Sequence, residues 1–69
     1  MKLSARNQLT GTVKSINKGE AIANVALDVA GQRLVASITV EAVDDLGLTE
    51  GAQVTAIIKA SDVIIATGA

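Results

Sequence analysis

Ser4-Ala5-Arg6-Asn7-Gln8 gathers a hydroxyl, a guanidinium, side-chain amide and several backbone N–H groups into five residues. All of these donate hydrogen bonds, and no carboxylate stands among them. Lys59-Ala60-Ser61 repeats the mixture near the other end of the chain. Donor-rich, carboxylate-poor segments suit a small anion. In the first, the Ser4 hydroxyl and backbone N–H groups would form an oxyanion cradle. Arg6 would enter it through its main-chain N–H, its side chain, or only as local positive potential. Each segment also has a plainer reading. The first reads as a chain terminus with one surface arginine. The second, followed by Asp62, reads as a solvated turn. The residues alone leave both readings open.

Two further stretches carry donors. Thr39 stands where a strand pattern gives way to a helical one, so its hydroxyl is placed to cap that helix. A helix N-terminus also offers N–H groups to an anion. Lys18-Gly19-Glu20 reads first as a hairpin turn.

Other chemistries find little support. With no histidine and no cysteine, the chain lacks the usual base, nucleophile, zinc ligand and disulfide, so no enzyme or direct metal site is expected. Asp44, Asp45 and Glu50 read as a solvated face, and no phosphate loop or dinucleotide fingerprint occurs. No aromatic residue is present to stack on a base, and six basic against seven acidic residues leave a net charge of −1. Nucleic acid is therefore a poor partner. No apolar run is long enough to span a membrane, and Met1-Lys2-Leu3 leads into polar residues without a signal peptide. A cytoplasmic protein is expected.

The elements that must position these donors are short. Alternation and β-branched content predict strands over residues 9–16, 21–29, 33–39, 53–58 and 63–67. Asn17–Glu20 and Ala30-Gly31-Gln32 are turns, with Gly19 able to supply a positive φ. On the second strand Ala23, Val25, Leu27 and Val29 form a wholly apolar face and should be core. A short helix from Val40 to about Leu46 lies between strands three and four. Glu41 favours its positive end, Gly47 is suited to a left-handed C′ position, and Val40, Val43 and Leu46 point inward at helical spacing. Three strands, a helix and two strands predict an all-β, five-stranded Greek-key barrel of the oligonucleotide/oligosaccharide-binding (OB) type, closed so that no edge is exposed. The 69 residues make one domain, residues 1–69. A chain this small buries only about 60% of its unfolded surface, yet 49% of its residues are apolar. The surplus implies an oligomer.

"SARNQ" behind a short lead, and Lys59-Ala60-Ser61 before a final strand, resemble the two signatures of the Mop family, the molbindins. The resemblance runs over nearly the whole chain. It implies a Mop/TOBE-like barrel and a cytoplasmic protein that binds molybdate or tungstate as a homohexamer, a trimer of dimers. No catalytic cofactor is implied. The implied oxyanion site comprises Ser4, Ala5, Arg6, Thr39, Lys59, Ala60 and Ser61, with the two donor segments meeting across a subunit boundary. Lys18, Gly19 and Glu20 would line a second site on the threefold axis. Relatives often carry another hydroxyl shortly after Thr39; here Ala42 and Val43 stand instead, and Ser37 either substitutes or faces solvent. With neither a DNA-binding segment nor an ATPase ahead of the module, storage is expected rather than regulation or transport.

The chemistry of the anion agrees. Molybdate at neutral pH is a tetrahedral dianion with four acceptor oxygens and no proton. A site made of donors fits it, whereas hydrogen phosphate brings a proton that finds no acceptor. Tungstate matches molybdate in shape and charge. The rival readings are an OB-type nucleic-acid module, by analogy of fold only, and a structural assembly domain without ligand.

Overall fold

The computed structural model describes residues 2–68. Strand β1 runs over Asn7–Lys18, β2 over Ile22–Val29, β3 over Gln32–Thr39 and β4 over Gln53–Ile58. Helix α1, Val40–Asp45, lies between β3 and β4, and a single 3₁₀ turn, Ala60–Asp62, follows β4. All pairings are antiparallel, in the order β3-β2-β1-β4.

β1 organises the sheet by pairing with a different neighbour along each half. Asn7 to Thr12 face Ile58 to Gln53 of β4. Thr12 to Lys18 face Asp28 to Ala23 of β2, with a register shift between Val13 and Ser15. A bulge of this kind bends a strand and increases its twist, which lets one strand leave one neighbour for the next. The strand is therefore longer at both ends than its propensities predict. Asn7, Gln8, Asn17 and Lys18 are drawn in by cross-strand pairing, which outweighs local preference. Where β1 passes the end of β2, a Cβ on Gly11 would stand 2.9 Å from Val29 Cγ2 and 3.0 Å from the Asp28 carbonyl oxygen. Only glycine permits that approach.

The core is Val13, Ala23, Val25, Leu27 and Val43, so the inward face of β2 is the one its apolar alternation indicates. Ala30 and Gly31, with φ of 51° and 83°, form the two-residue turn between β2 and β3 that the sheet's twist favours. Gly19 has no positive φ. Its constraint is steric, because an added Cβ would meet the Ile22 carbonyl oxygen at 3.0 Å.

α1 is capped as expected: the Ala42 N–H donates to Thr39 Oγ1 at 3.0 Å. Its C-terminal end corrects one expectation. Gly47, at φ 62°, donates to the Asp44 carbonyl, and Leu48 donates to the Val43 carbonyl. This is the Schellman arrangement, which packs the residue after the glycine onto the last turn. Leu48 therefore packs against the core while Leu46 is 68% exposed.

The larger correction concerns closure. Four strands form an open sheet, not five a closed barrel. Residues 63–67 have the β-branched content of a strand but no ladder partner. Ile64 and Ile65 stand 94% and 81% exposed. Composition indicates fit to a pleated surface, but a strand exists only where a neighbour accepts its N–H groups and supplies carbonyls. Between the inward faces of β3 and β4 an apolar groove of about 720 Å³ is left open, lined by Leu34, Ala36, Ile38, Val54, Ala56 and Ile58 among others.

Candidate oxyanion site

The donor segments at the two ends of the chain meet in space. Asn7 and Ile58 are the last cross-strand pair of β1 and β4, and the Asn7 amide clamps that pair by donating from Nδ2 to the Ile58 carbonyl at 3.1 Å. One step beyond on each strand stand Arg6 and Lys59. Beyond them come Ser4-Ala5 on one side and Ala60-Ser61, in the 3₁₀ turn, on the other. The 3₁₀ turn holds its shape through the Asp62 N–H on the Lys59 carbonyl, 2.9 Å. The N–H groups of Ser4, Ala5, Arg6, Ala60 and Ser61 enter no turn or cap bond among the described residues. Ser4, Arg6, Lys59 and Ser61 are exposed, and Ala5 is half-buried.

Two cations one register step beyond a strand pair, with hydroxyls behind them, repel each other unless something negative lies between. Among the described residues neither Arg6 nor Lys59 has a carboxylate partner; the ion pair there is Lys18 Nζ with Asp44 Oδ1. This end of the sheet is thus a cluster of unused N–H and O–H donors whose cations are in no ion pair among the described residues, with the Asp62 carboxylate standing in the same 3₁₀ turn. It accepts an oxyanion without having to break a bond of its own.

Asn7 turns out to be a positioning residue rather than a free donor. A polar side chain at a strand terminus was its only mark in the sequence, and its partner, 51 positions away, could not be read there.

Thr39 lies elsewhere. It pairs with Ile22 at the far end of β2, beside the Lys18 end of β1. Twelve residues of β1 at about 3.3 Å each put roughly 40 Å of curved strand between that end and the Asn7 end. Pairing brings Ser4–Arg6 and Lys59–Ser61 together and sets Thr39 at the Ile22 end of β3, whose Ser37 and Ile38 line the open groove together with Ile58 and Asp62. The helix start adds little, because the Val40 N–H is spent on the Ala21 carbonyl and the Ala42 N–H on Thr39 itself. What remains is the Glu41 N–H, which enters no turn or cap bond among the described residues, and the Thr39 hydroxyl hydrogen, free to donate outward while its oxygen accepts from Ala42. Ser37 is exposed at the groove.

The Lys18-Gly19-Glu20 turn is more heavily committed. The Gly19 N–H donates to the Ile22 carbonyl at 2.8 Å, and the Lys18 ammonium is taken by Asp44 at 3.1 Å. Both partners are about half exposed or more, so the pair contributes little to stability.

A family model described as "TOBE domain" matches residues 3–65. The chain is 47% identical over 66 residues to molybdenum-pterin-binding protein 1 of Clostridium pasteurianum, covering 94% of this chain and 97% of that one. Its fold is similar to that of a molybdate-binding protein from Sporomusa ovata, with a TM-score of 0.93 and 45% identity, over 97% of this chain and all of the other. It is also similar to the cytoplasmic molybdate-binding protein ModG in a molybdate-bound form, with a TM-score of 0.88 and 51% identity, covering 93% of this chain and 46% of that one.

Proposed function

The chain belongs to the TOBE domain family, and from that premise we propose that it binds molybdate, and equally tungstate, in a homo-oligomer that stores and buffers the metal inside the cell. The observation that carries this is the Arg6–Lys59 cluster: two cations and two serine hydroxyls gathered around the Asn7–Ile58 pair with no carboxylate partner among the described residues. Relatives of high identity along the whole chain are molybdate-binding proteins by name, and ModG is described as cytoplasmic. The pterin in another relative's name has no counterpart here, since the chain has no aromatic side chain to stack on its ring.

In this reading Ser4 and Ser61 donate O–H groups. Ala5, Arg6 and Ala60 donate backbone N–H groups, and Arg6 and Lys59 supply the charge. Each bond to a charged acceptor contributes on the order of 1.5–3 kcal/mol. Five or six of them exceed association costs of several kcal/mol and reach micromolar affinity, about −8 kcal/mol. A second copy completes the site with Thr39, which pairing sets at the Lys18 end of β1. The Lys18-Gly19-Glu20 turn is a secondary locus. An anion there has to draw Lys18 away from Asp44.

Association follows from the open groove. The exposed tail, residues 63–67, has the side chains of a fifth strand, and the gap between β3 and β4 has the apolar lining and free edges to receive one. Two copies that trade tails close both sheets and remove four open edges at once. Further association to a hexamer is the family's expected assembly.

Calorimetric titration with molybdate, tungstate, sulfate and phosphate, beside size-exclusion chromatography, tests the site. Ser4→Ala and Lys59→Ala should each weaken molybdate by about tenfold while the oligomer persists. Unchanged affinity in both variants refutes the assignment, and phosphate binding as tight as molybdate refutes a donors-only pocket.

A further inference from the structure

The bulge in β1 turns two consecutive side chains to the same face. Lys14 is the residue that the ladder with β2 skips, between Val13 facing Leu27 and Ser15 facing Ala26. Val13 belongs to the core and Ile16 packs against it, so Lys14 and Ser15 both point outward, where a regular strand would alternate. Ala26 and Asp28 lie on the same outer face of β2, opposite Val35 and Arg33 of β3. Ala26 carries only a methyl group, and the face dips there. The result is a depression of about 290 Å³ lined by Lys14, Ser15, Ala26, Asp28, Gly31 and Arg33. A Cβ on Gly31 would meet nothing within 4 Å, so the turn leaves the rim open. None of these residues belongs to the donor cluster around Asn7 and Ile58 or lines the apolar groove.

Lys14, Asp28 and Arg33 enter no ion pair among the described residues, although Asp28 and Arg33 are cross-strand partners. Two cations, one hydroxyl and one carboxylate therefore face a common space with a surplus of one positive charge. A fully deprotonated anion meets the Asp28 carboxylate as a like charge. An anion that keeps a proton can donate it to that carboxylate and turn its other oxygens to the cations. We propose that this depression binds a protonated phosphate group. Lys14 Nζ and the Arg33 guanidinium take its charged oxygens, the Ser15 hydroxyl donates to another, and Asp28 accepts from the P–OH. Arg33 has donors enough to serve Asp28 and the phosphate together. Lys14, Ser15 and Arg33 are exposed and water screens their charge, so the affinity is on the order of millimolar. The site stands apart from the oxyanion reading above and shares no residue with it.

The test follows amide signals of the whole chain by magnetic resonance at neutral pH, with inorganic phosphate and sulfate as separate probes. Both are tetrahedral, and only phosphate keeps a proton there. Phosphate should shift the amides of Lys14, Ser15, Gly31 and Arg33 saturably, and sulfate should bind about tenfold more weakly. A simple phosphomonoester loses its last proton near about pH 6. It should match phosphate below that pH and sulfate above it, so at neutral pH the occupant is free phosphate rather than an ester. Lys14→Ala with Arg33→Ala should abolish the phosphate shifts at Ser15 and Gly31 with circular dichroism unchanged, whereas Lys59→Ala should leave them in place. Asp28→Asn removes the like charge and keeps an acceptor, so sulfate should rise to within about twofold of phosphate. Equal binding of phosphate and sulfate by the wild type marks an adventitious ion only and overturns the proposal. Phosphate shifts that survive the double alanine variant, or a monoester that still matches phosphate at neutral pH, overturn it as well.

Discussion

Replacing Ile64 and Ile65 together by serine should leave the isolated protomer unaffected and dismantle the oligomer. In one protomer both side chains are already in water, 94% and 81% exposed, so their removal costs the lone chain almost nothing. As a fifth strand between β3 and β4 of another copy, successive side chains point to opposite faces. One isoleucine then fills the groove and the other lies half covered on the outside. Full burial of an isoleucine side chain is worth about 1.5–3 kcal/mol, so each tail loses roughly 2–4 kcal/mol. Reciprocal exchange doubles this to roughly 4–8 kcal/mol, which raises the dissociation constant by about three to six orders of magnitude. Sedimentation velocity over a concentration series reads the shift. The wild type should also show a thermal midpoint that rises with protein concentration, since association stabilises by mass action. A wild type that sediments as a single 7.0 kDa particle at every concentration, or a variant that assembles as tightly as the wild type, refutes the reasoning.

Gly11→Ala should destabilise by about 1–3 kcal/mol in thermal or urea unfolding, because the new methyl group meets the Asp28 carbonyl, which is backbone and cannot turn aside. Thr39→Val should lose about 1 kcal/mol of stability with the helix cap and weaken molybdate in calorimetry. Thr39→Ser should keep both, and a serine variant as weak as the valine one would mean that the hydroxyl is not what binds. Lys18→Met should change stability by less than about 1 kcal/mol, as an exposed ion pair predicts; a larger loss on denaturation would show that the pair holds α1 in place.

Much of the positioning scaffold was legible along the chain. β4 begins and ends where its alternation does, at Gln53 and Ile58. Thr39 caps the helix it precedes, and Gly47 ends it. β4 also needs its ladder with β1, but the cap and the glycine stop depend on neighbours within four residues, which is the range over which side-chain caps and backbone conformation are decided. Leu46 shows where that range ends. Helical spacing points it inward, but the Schellman turn closes the helix one residue early and gives the inward place to Leu48. The donors of the site were visible too, as residue types in two segments. Their grouping was not, because Asn7 finds Ile58 only through the ladder between β1 and β4.

By itself, then, the amino-acid order supplied two donor-rich segments that suit an anion, beside the plainer readings of a chain terminus and a solvated turn. The resemblance of those segments to the Mop family is what named a tetrahedral oxyanion. The folded sheet decided which donors stand together. Pairing places Ser4–Arg6 beside Lys59–Ser61 and carries Thr39 to the opposite end of β1. It also leaves residues 63–67 without a neighbour to bond. Distance and hydrogen-bond partnership exist only between segments brought together in space, so neither the gap in the sheet nor the grouping of the donors could be read from composition or periodicity.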